Sequence, residues 1–264
     1  MDLQLENKLA LVTGSTAGIG FAIVEALAAE GARVVVNGRT ETRVAGAITR
    51  LRAAVPEAKA DALVADLSRP EGAAAAIAQF PEVDILVNNL GVFGPKPFEE
   101  ITDEDWTAII EANFMSGVRL ARHYLPQMRA RSGGHIVFVS SESAVNIPVE
   151  MIHYGVTKTM QVALARGLAE TTVGTAVTVN SVLAGPTRSE GVGRFIDEMA
   201  ASRGMQPEEM EEEFFNTARP SSLLRRFATP EEIAALVAYV ASPRASATNG
   251  AALRVDGGVV RSIL

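Results

Sequence analysis

Residues 9–20 read LALVTGSTAGIG, a short apolar run ending at Val12 and then a turn in which Gly14, Gly18 and Gly20 are spaced G-x-x-x-G-x-G. The apolar run suits a buried strand, and Ile19, Ile23, Ala26 and Leu27 then recur at helical spacing, which puts the glycines at a strand-to-helix turn. Each glycine answers a separate need there. Gly14 permits a tight turn, Gly18 lets backbone N–H groups approach a pyrophosphate at the helix N-terminus, and Gly20 lets helix and strand pack closely. Ser15, Thr16 and Ile19 complete the loop that would meet the phosphates. A glycine-rich loop also describes a plain structural turn, and this spacing differs from the commoner G-x-G-x-x-G. Its position directly after the first strand favours the dinucleotide reading.

Working outward, Gly31 closes the helix, and residues 33–37 (RVVVN) form a β-branched run without alternation, as a strand covered on both faces requires. The end of that strand faces the adenosine ribose in such an architecture. A carboxylate there accepts a 2′-hydroxyl, whereas an arginine holds a 2′-phosphate. Neither Asp nor Glu occupies 37–39, and Arg39 therefore points to NADP(H), with NAD(H) as the alternative. A solvated arginine at a helix entry reads the same way, and Ser15, Thr16 and Ala17 add no second basic residue. A helix over 41–55, a strand over 62–65 ending in Asp66 and Leu67, a helix over 70–79 and a strand ending in Asn88, Asn89, Leu90 and Gly91 follow. This alternation describes βαβ units, hence an α/β fold with a doubly wound parallel sheet. Asp66 is placed to accept from an adenine amine, and Asn88 and Asn89 to hold backbone and cofactor; each also fits a turn-forming role.

The spacing predicts one long helix over 103–131, with Trp106, Ile109, Ile110 and Asn113 in its first half and Pro126 bending or breaking it late. Asn113 sits among Ile110, Ala112 and Phe114, where a buried amide must find partners. The strand 135–139 leads to Ser140 and Ser141, and a helix starting near Ile152 places Tyr154 and Lys158 one above the other. A fixed ammonium beside a phenol favours phenolate, which makes Tyr154 a usable acid or base, and Ser141 can offer a hydroxyl to the same oxygen. A solvated helix pair has the same spacing. A strand over 176–183 ends in Ala184, Gly185, Pro186 and Thr187, so these groups converge on one sheet edge, where open α/β sheets bind ligands. Residues 188–224 break the rhythm with amphipathic segments at 193–201 and 207–215. Inserted after that edge, they form a natural lid, with Phe195, Met199, Met205, Phe214 and Phe215 to cover a substrate. The acidic run Glu208 to Glu213 reads as a solvated face. A helix over 230–241 and a strand over 252–255 close the chain before Asp256, Gly257 and Gly258.

The 264 residues, 48% hydrophobic and 21% charged, are enough for one sizeable core, and one domain over 1–264 is expected. The absence of cysteine excludes disulfides and thiolate metal sites, and His123, His135 and His153 lack metal-ligand spacing. A net charge of −7 argues against nucleic acid. The start, MDLQLENKLALVTG, has no leader pattern, and no apolar run approaches the ~20 residues that span a bilayer, so a soluble cytoplasmic protein is expected.

Taken jointly, Thr13-Gly14-x-x-x-Gly18-Ile19-Gly20, Asp66, Asn88-Asn89-x-Gly91, Asn113, Ser141, Tyr154-x-x-x-Lys158 and Val255-Asp256-Gly257-Gly258 resemble the classical short-chain dehydrogenase/reductase family over essentially the whole chain. The resemblance implies a seven-stranded Rossmann sheet, usually in a homotetramer, with a homodimer as the alternative. It also implies a tetrad: Tyr154 transferring the proton, Ser141 steadying the substrate oxygen, Lys158 binding the nicotinamide ribose and lowering the Tyr154 pKa, and Asn113 supporting a water that leads to Lys158. Asp66, Leu67, Gly185 and Thr187 would join the glycine loop, Asn89 and Gly91 around the cofactor. The implied reaction is interconversion of a ketone or aldehyde and an alcohol on a small to medium substrate. A dinucleotide-binding module without chemistry is the alternative from another class, and the intact tetrad speaks against it. Three departures stand out: Leu90 in place of a small Ala, Ala184-Gly185 in place of Pro-Gly with Ser189 for a Thr, and no basic residue in 171–180 of the kind acyl-carrier reductases place there. Val92, Phe93, Glu142, Ser143, Asn146, Met151 and His153 are the candidate substrate-pocket residues. Glu142 is expected as an ordinary rim residue or a reader of a polar group.

Overall fold

Val34, Val35 and Val36 are fully buried because the sheet they join is covered on both sides. In chain order, the computed structural model contains β1 (Leu9–Val12), α1 (Gly18–Ala29), β2 (Arg33–Gly38), α2 (Glu41–Ala54), β3 (Lys59–Val64), α3 (Pro70–Gln79), β4 (Ile85–Asn88), α4 (Asp103–Ile110) and α5 (Ser116–Ala130). There follow β5 (Gly134–Ser141), α6 (Ile152–Glu170), β6 (Val177–Ala184), α7 (Glu190–Arg203), α8 (Pro207–Thr217), α9 (Pro230–Val240) and β7 (Ala252–Val255). The structure describes residues 1–263, apart from the side chains of Arg194, Phe195 and Glu198, so Phe195, expected over the cleft, lies outside the described residues.

All seven strands are parallel and lie in the order β3-β2-β1-β4-β5-β6-β7. Successive strand residues point to opposite faces, and the cores divide accordingly. Ala10, Val12, Val34, Val36, Val137 and Val139 face a core shared with α1, α2 and α9, while Leu11, Val35, Leu86, Ile136 and Phe138 face one shared with α3, α5 and α6. The chain runs from β1 out to β3 and then crosses to β4 on the other side of β1. The carboxyl ends of β1 and β4 therefore flank the crevice where the winding reverses, which is where such sheets hold ligands.

Three expected boundaries shift. Residues 103–131 are not one helix: a π-helical turn at Glu111–Met115 separates α4 from α5. Pro126 stays inside α5 without ending it, in a stretch anchored by buried Tyr124, Leu125 and Met128. The third strand begins at Lys59 rather than 62, because β3 is an edge strand whose charged half is held by the Arg33–Asp61 pair (2.5 Å) and shows no apolar run. The segment after β6 folds as α7 and α8 around a small core of their own, Ile196, Ala200, Met210, Phe215 and Phe227, with the Phe214 and Phe227 rings stacked at 5.1 Å. Among the described residues, no helix is long and apolar enough to cross a membrane, and no cluster of His, Cys, Asp and Glu has the makings of a metal site.

Candidate active site

The glycine turn shows why its residues are small. Gly14 (φ 61°) and Gly18 (φ 55°) adopt left-handed backbone, and a Cβ on Gly20 would stand 2.5 Å from the Gly14 carbonyl oxygen. Ala17, at the N-cap of α1, makes no side-chain cap, and the first turn of the helix carries no acid. Among the described residues no side chain caps the first N–H groups of α1, and the helix's own first turn brings no carboxylate, the arrangement an anion at a helix N-terminus needs. The turn opens onto a cleft of about 810 Å³ along the carboxyl edge of the sheet. Gly14, Gly18, Ile19, Gly20, Asn89, Gly91, Gly185 and Thr187 all line it, together with Ser141, Tyr154 and Lys158. Leu90, the bulky departure, lines it too, its Cα 3.2 Å from where a Gly14 Cβ would be.

Other expected contacts fall elsewhere. Ser15 is fully buried, its hydroxyl donating to the Val12 carbonyl (2.8 Å) and accepting the Asn37 N–H (2.9 Å), so it ties strand ends together and has nothing left for a phosphate. Leu67 is a core residue, since its side chain packs inward against the α3 and α5 layer. Thr16 faces Gly38, where a Cβ would meet its methyl at 2.5 Å. Asp66 takes the turn-forming role: Oδ1 accepts both the N–H and the hydroxyl of Ser68 (3.1 and 2.6 Å). The Ser68 hydroxyl, with help from Arg39 and Arg69, holds the Asp66 carboxyl below its usual range. Arg39 is exposed at the end of β2. Asn89 donates to the Thr13 and Gly14 carbonyls (2.9 and 3.1 Å), but the Asn88 side chain is buried without a hydrogen-bond partner, since it packs toward Gly117 rather than the cleft.

Helix α6 delivers Tyr154 and Lys158 to the cleft, and β5 delivers Ser141. The Lys158 ammonium, 4% exposed, donates to the Val139 carbonyl (2.9 Å) and to Gln161 Oε1 (3.2 Å), and stands 5.6 Å from the Tyr154 ring centroid. Burial lowers its pKa to about 8. Tyr154, half-buried and edge-on to Phe93, has a hydroxyl that burial pushes up to about 12; the neighbouring Ser141 hydroxyl opposes that rise, the Glu142 charge adds to it and Arg219 counters. The downward pull expected from Lys158 is not what sets Tyr154, because the ammonium is engaged with Val139 and Gln161 instead. Asn113 lies in the π-turn, its Oδ1 accepting the Val92 N–H (2.7 Å) and its Nδ2 donating to the Val92 carbonyl (2.9 Å) and Thr157 Oγ1 (3.0 Å). Its own carbonyl accepts from Gln161 Nε2. Asn113 therefore reaches Lys158 through Gln161.

Glu142 is neither rim nor exposed. It is 2% exposed, with Oε2 accepting from the hydroxyls of Ser141 and Ser143 and Oε1 bound to Arg219 Nε at 2.7 Å. Arg219, just beyond α8, also donates to Glu150 Oε1 (3.1 Å) and to the Ala218 carbonyl (2.8 Å). Of the other expected pocket residues, Phe93, Ser143 and Met151 line the cleft, and Val92, Asn146 and His153 do not. From α7 and α8, Met199 and Phe214 reach it, whereas Met205 and Phe215 belong to the helices' own core.

Three comparisons place this geometry among known proteins. A family model described as enoyl-(acyl carrier protein) reductase matches residues 14–260. The uncharacterized oxidoreductase YvaG of Bacillus subtilis (strain 168) is 46% identical over 100% of both chains, and the D-beta-hydroxybutyrate dehydrogenase of Cupriavidus necator is 32% identical over 97% of this chain and 99% of its own. The crystal structure of L-sorbose reductase from Gluconobacter frateurii, complexed with NADPH and L-sorbose, superposes with a TM-score of 0.93 at 31% identity, covering 100% of each chain. The chain belongs to the classical short-chain dehydrogenase/reductase family of oxidoreductases, which act on alcohol and carbonyl groups with a nicotinamide cofactor.

Four residues of the site carry no weight in the sequence reading. Gln161 follows Lys158 by one helical turn, a spacing that places it beside the ammonium. Arg50 donates to the Thr16 carbonyl with its guanidinium 4.4 Å over the Phe21 ring, which brings a second basic group to the glycine loop from α2. Arg219 and Glu150 have no local signal, because Arg219 is distant in the chain from both carboxylates it binds, Glu142 and Glu150.

Proposed function

We propose that the protein is an NADP(H)-dependent oxidoreductase that interconverts a ketone or aldehyde and an alcohol, with Tyr154 as the acid and base. The observation that carries this reading is the meeting of Ser141, Tyr154 and Lys158 in the one cleft onto which the uncapped start of α1 opens. The residues fit a dinucleotide. Gly91 has room for close approach, a Cβ there lying 3.5 Å from both Asn113 Oδ1 and Lys158 Nζ, and the first N–H groups of α1 suit a pyrophosphate. The nicotinamide, when bound, exchanges the hydride with the substrate carbon. This chain's own residues handle the proton and the orientation. A Tyr154 pKa near 12 keeps the phenol protonated at neutral pH, the form that donates to a carbonyl oxygen. Ser141 steadies that oxygen, and Lys158, held in place through Gln161 and Asn113, would bind the nicotinamide ribose beside it.

NADP(H) is favoured over NAD(H) because Arg39 just after β2 and Arg50 beside Thr16 supply two cations for a 2′-phosphate, and no Asp or Glu occupies 37–39, where a carboxylate would accept the 2′-hydroxyl. Helices α7 and α8, within 188–224, serve as the substrate lid, with Met199 and Phe214 over the cleft. An acyl-carrier substrate is disfavoured, since the chain carries a net charge of −7 and such carriers are acidic. A small to medium carbonyl compound fits better. The setting is cytoplasmic and the assembly a homotetramer, with a homodimer as the alternative; Val149, Leu223 and Ile263, each more than four-fifths exposed, are apolar surface for subunits to cover. Light scattering of the purified chain checks the assembly, and a monomer would overturn it. The activity is tested by a panel of carbonyl compounds with NADPH. Tyr154→Phe is expected to lower turnover by ~10²–10⁴-fold while NADPH still binds, and full activity in that variant would sink the assignment.

A further inference from the structure

Ser141 has one proton and two claimants for it. In the structure the hydroxyl donates to Glu142 Oε2 while its oxygen accepts the Ser143 N–H at 3.1 Å. For Ser141 to ease ionisation of Tyr154, that same proton must point at the phenolic oxygen. The two uses compete.

What holds the proton on Glu142 is a built arrangement. The carboxylate is 2% exposed and accepts three hydrogen bonds from side chains, those of Ser141, Ser143 and Arg219. Arg219 is 6% exposed and comes from the segment just after α8, so the clamp spans the cleft from the turn after β5 to the lid. A buried carboxylate needs a partner, and Arg219 supplies the cation. Glu150, in the turn before α6, takes the other side of the guanidinium and fixes its plane.

We propose that Glu142, clamped by Arg219, is a positioning residue that fixes the direction of the Ser141 hydroxyl and so decides when Ser141 acts as a donor at the reacting oxygen. With the clamp closed, Ser141 offers the one lone pair that the Ser143 N–H leaves, which receives the O–H of an alcohol or of Tyr154. When a carbonyl oxygen arrives, the proton rotates from Glu142 toward it. No bond other than hydrogen bonds changes in that step. The charged groups facing Tyr154 are Lys158 from its own helix, Glu142 from the turn after β5 and Arg219 from the lid, with Glu150 behind Arg219. This inference rests on reading Ser141 and Tyr154 as the substrate-facing pair.

The test is Glu142→Gln. The amide keeps the shape, removes the charge and turns a donor toward either the serines or Arg219. Phenolate absorbance is followed against pH in the wild type and the variant, each corrected by its own Tyr154→Phe partner. Glu142→Gln is expected to bring the Tyr154 phenolate in at lower pH by about one unit or more, since the carboxylate that raises it is gone and the Ser141 proton is released to it. Turnover is expected to fall about 10-fold with the KM for NADPH unchanged, the scale of a lost hydrogen bond to a charged group. A phenolate that titrates with the wild type would overturn the proposal and leave the pair as a lid tie. Should Glu142→Gln fail to fold, Glu142→Asp carries the same test. It keeps the charge but shortens the reach, and a phenolate unmoved there contradicts the proposal equally. The absorbance needs no substrate, so a fruitless carbonyl panel would count against the proposed activity while this measurement still decides the role of Glu142.

Discussion

Lys158 is a buried cation whose two acceptors are a carbonyl and an amide rather than a carboxylate, and its pKa of about 8 reflects that setting. Between about 8 and its ordinary 10.5 the folded chain binds fewer protons there than the unfolded chain, so the stability contributed by this site rises with pH through that window. Below it, burying the ammonium costs on the order of 3 kcal/mol. Lys158→Met is therefore expected to be more stable than the wild type at neutral pH, with the difference closing as pH rises from about 8 toward 10. Tyr154, with its pKa raised to about 12, works oppositely and only above about 10, where its stability is progressively lost. Thermal melts at several pH values check this, and a difference that does not vary with pH would contradict it. At this scale the sequence was partly legible. The four-residue step from Tyr154 to Lys158 announced a shared helix face, whereas Gln161, three residues further on, went unread although its spacing places it beside the ammonium. Ser15 misled because a serine in a glycine loop looks available until Asn37 and Val12 are seen to hold it. Glu142 misled because its burial depends on Arg219, and nothing local to either residue announces the pair.

Asn37 joins the ends of three strands. Its Oδ1 accepts the Gly14 N–H (2.9 Å), and its Nδ2 donates to the carbonyls of Leu63 and Ala65 (3.2 and 3.1 Å). The shape of the glycine turn thus depends on an amide at the end of β2. Asn37→Ala leaves buried backbone groups without partners and is expected to cost about 2–4 kcal/mol and to weaken cofactor binding. Denaturant unfolding and a cofactor titration check both effects, and a variant that matches the wild type in both would contradict this role. Most elements were readable from periodicity and punctuation, α3 and β7 to the residue. Helix α7 begins three residues before its apolar stripe because Ser189 caps it there, whereas α8 begins at Pro207 as read and runs two residues further at its C-terminal end. The π-turn at Glu111–Met115 left no mark in the hydrophobic pattern, which a one-residue bulge hardly disturbs.

For the whole molecule, alternating strands and helices announce a parallel sheet, but the order β3-β2-β1-β4-β5-β6-β7 is a matter of three-dimensional crossing, and only the joint set of motifs pointed to it. The same crossing brings α2, and with it Arg50, beside the glycine loop, so the basic character of the adenosine end emerges from the fold rather than from the loop's letters. That end carries the central claim about the cofactor. Arg39 and Arg50 should hold a 2′-phosphate that NADH lacks, worth about 10- to 100-fold in affinity for charge-assisted contacts. The decisive measurement is nicotinamide fluorescence with NADPH and NADH titrated separately into the purified protein and into Arg39→Asp. Tight NADPH with weaker NADH, narrowed or reversed in the variant, is the predicted result; NADH bound as tightly as NADPH by the wild type would contradict it.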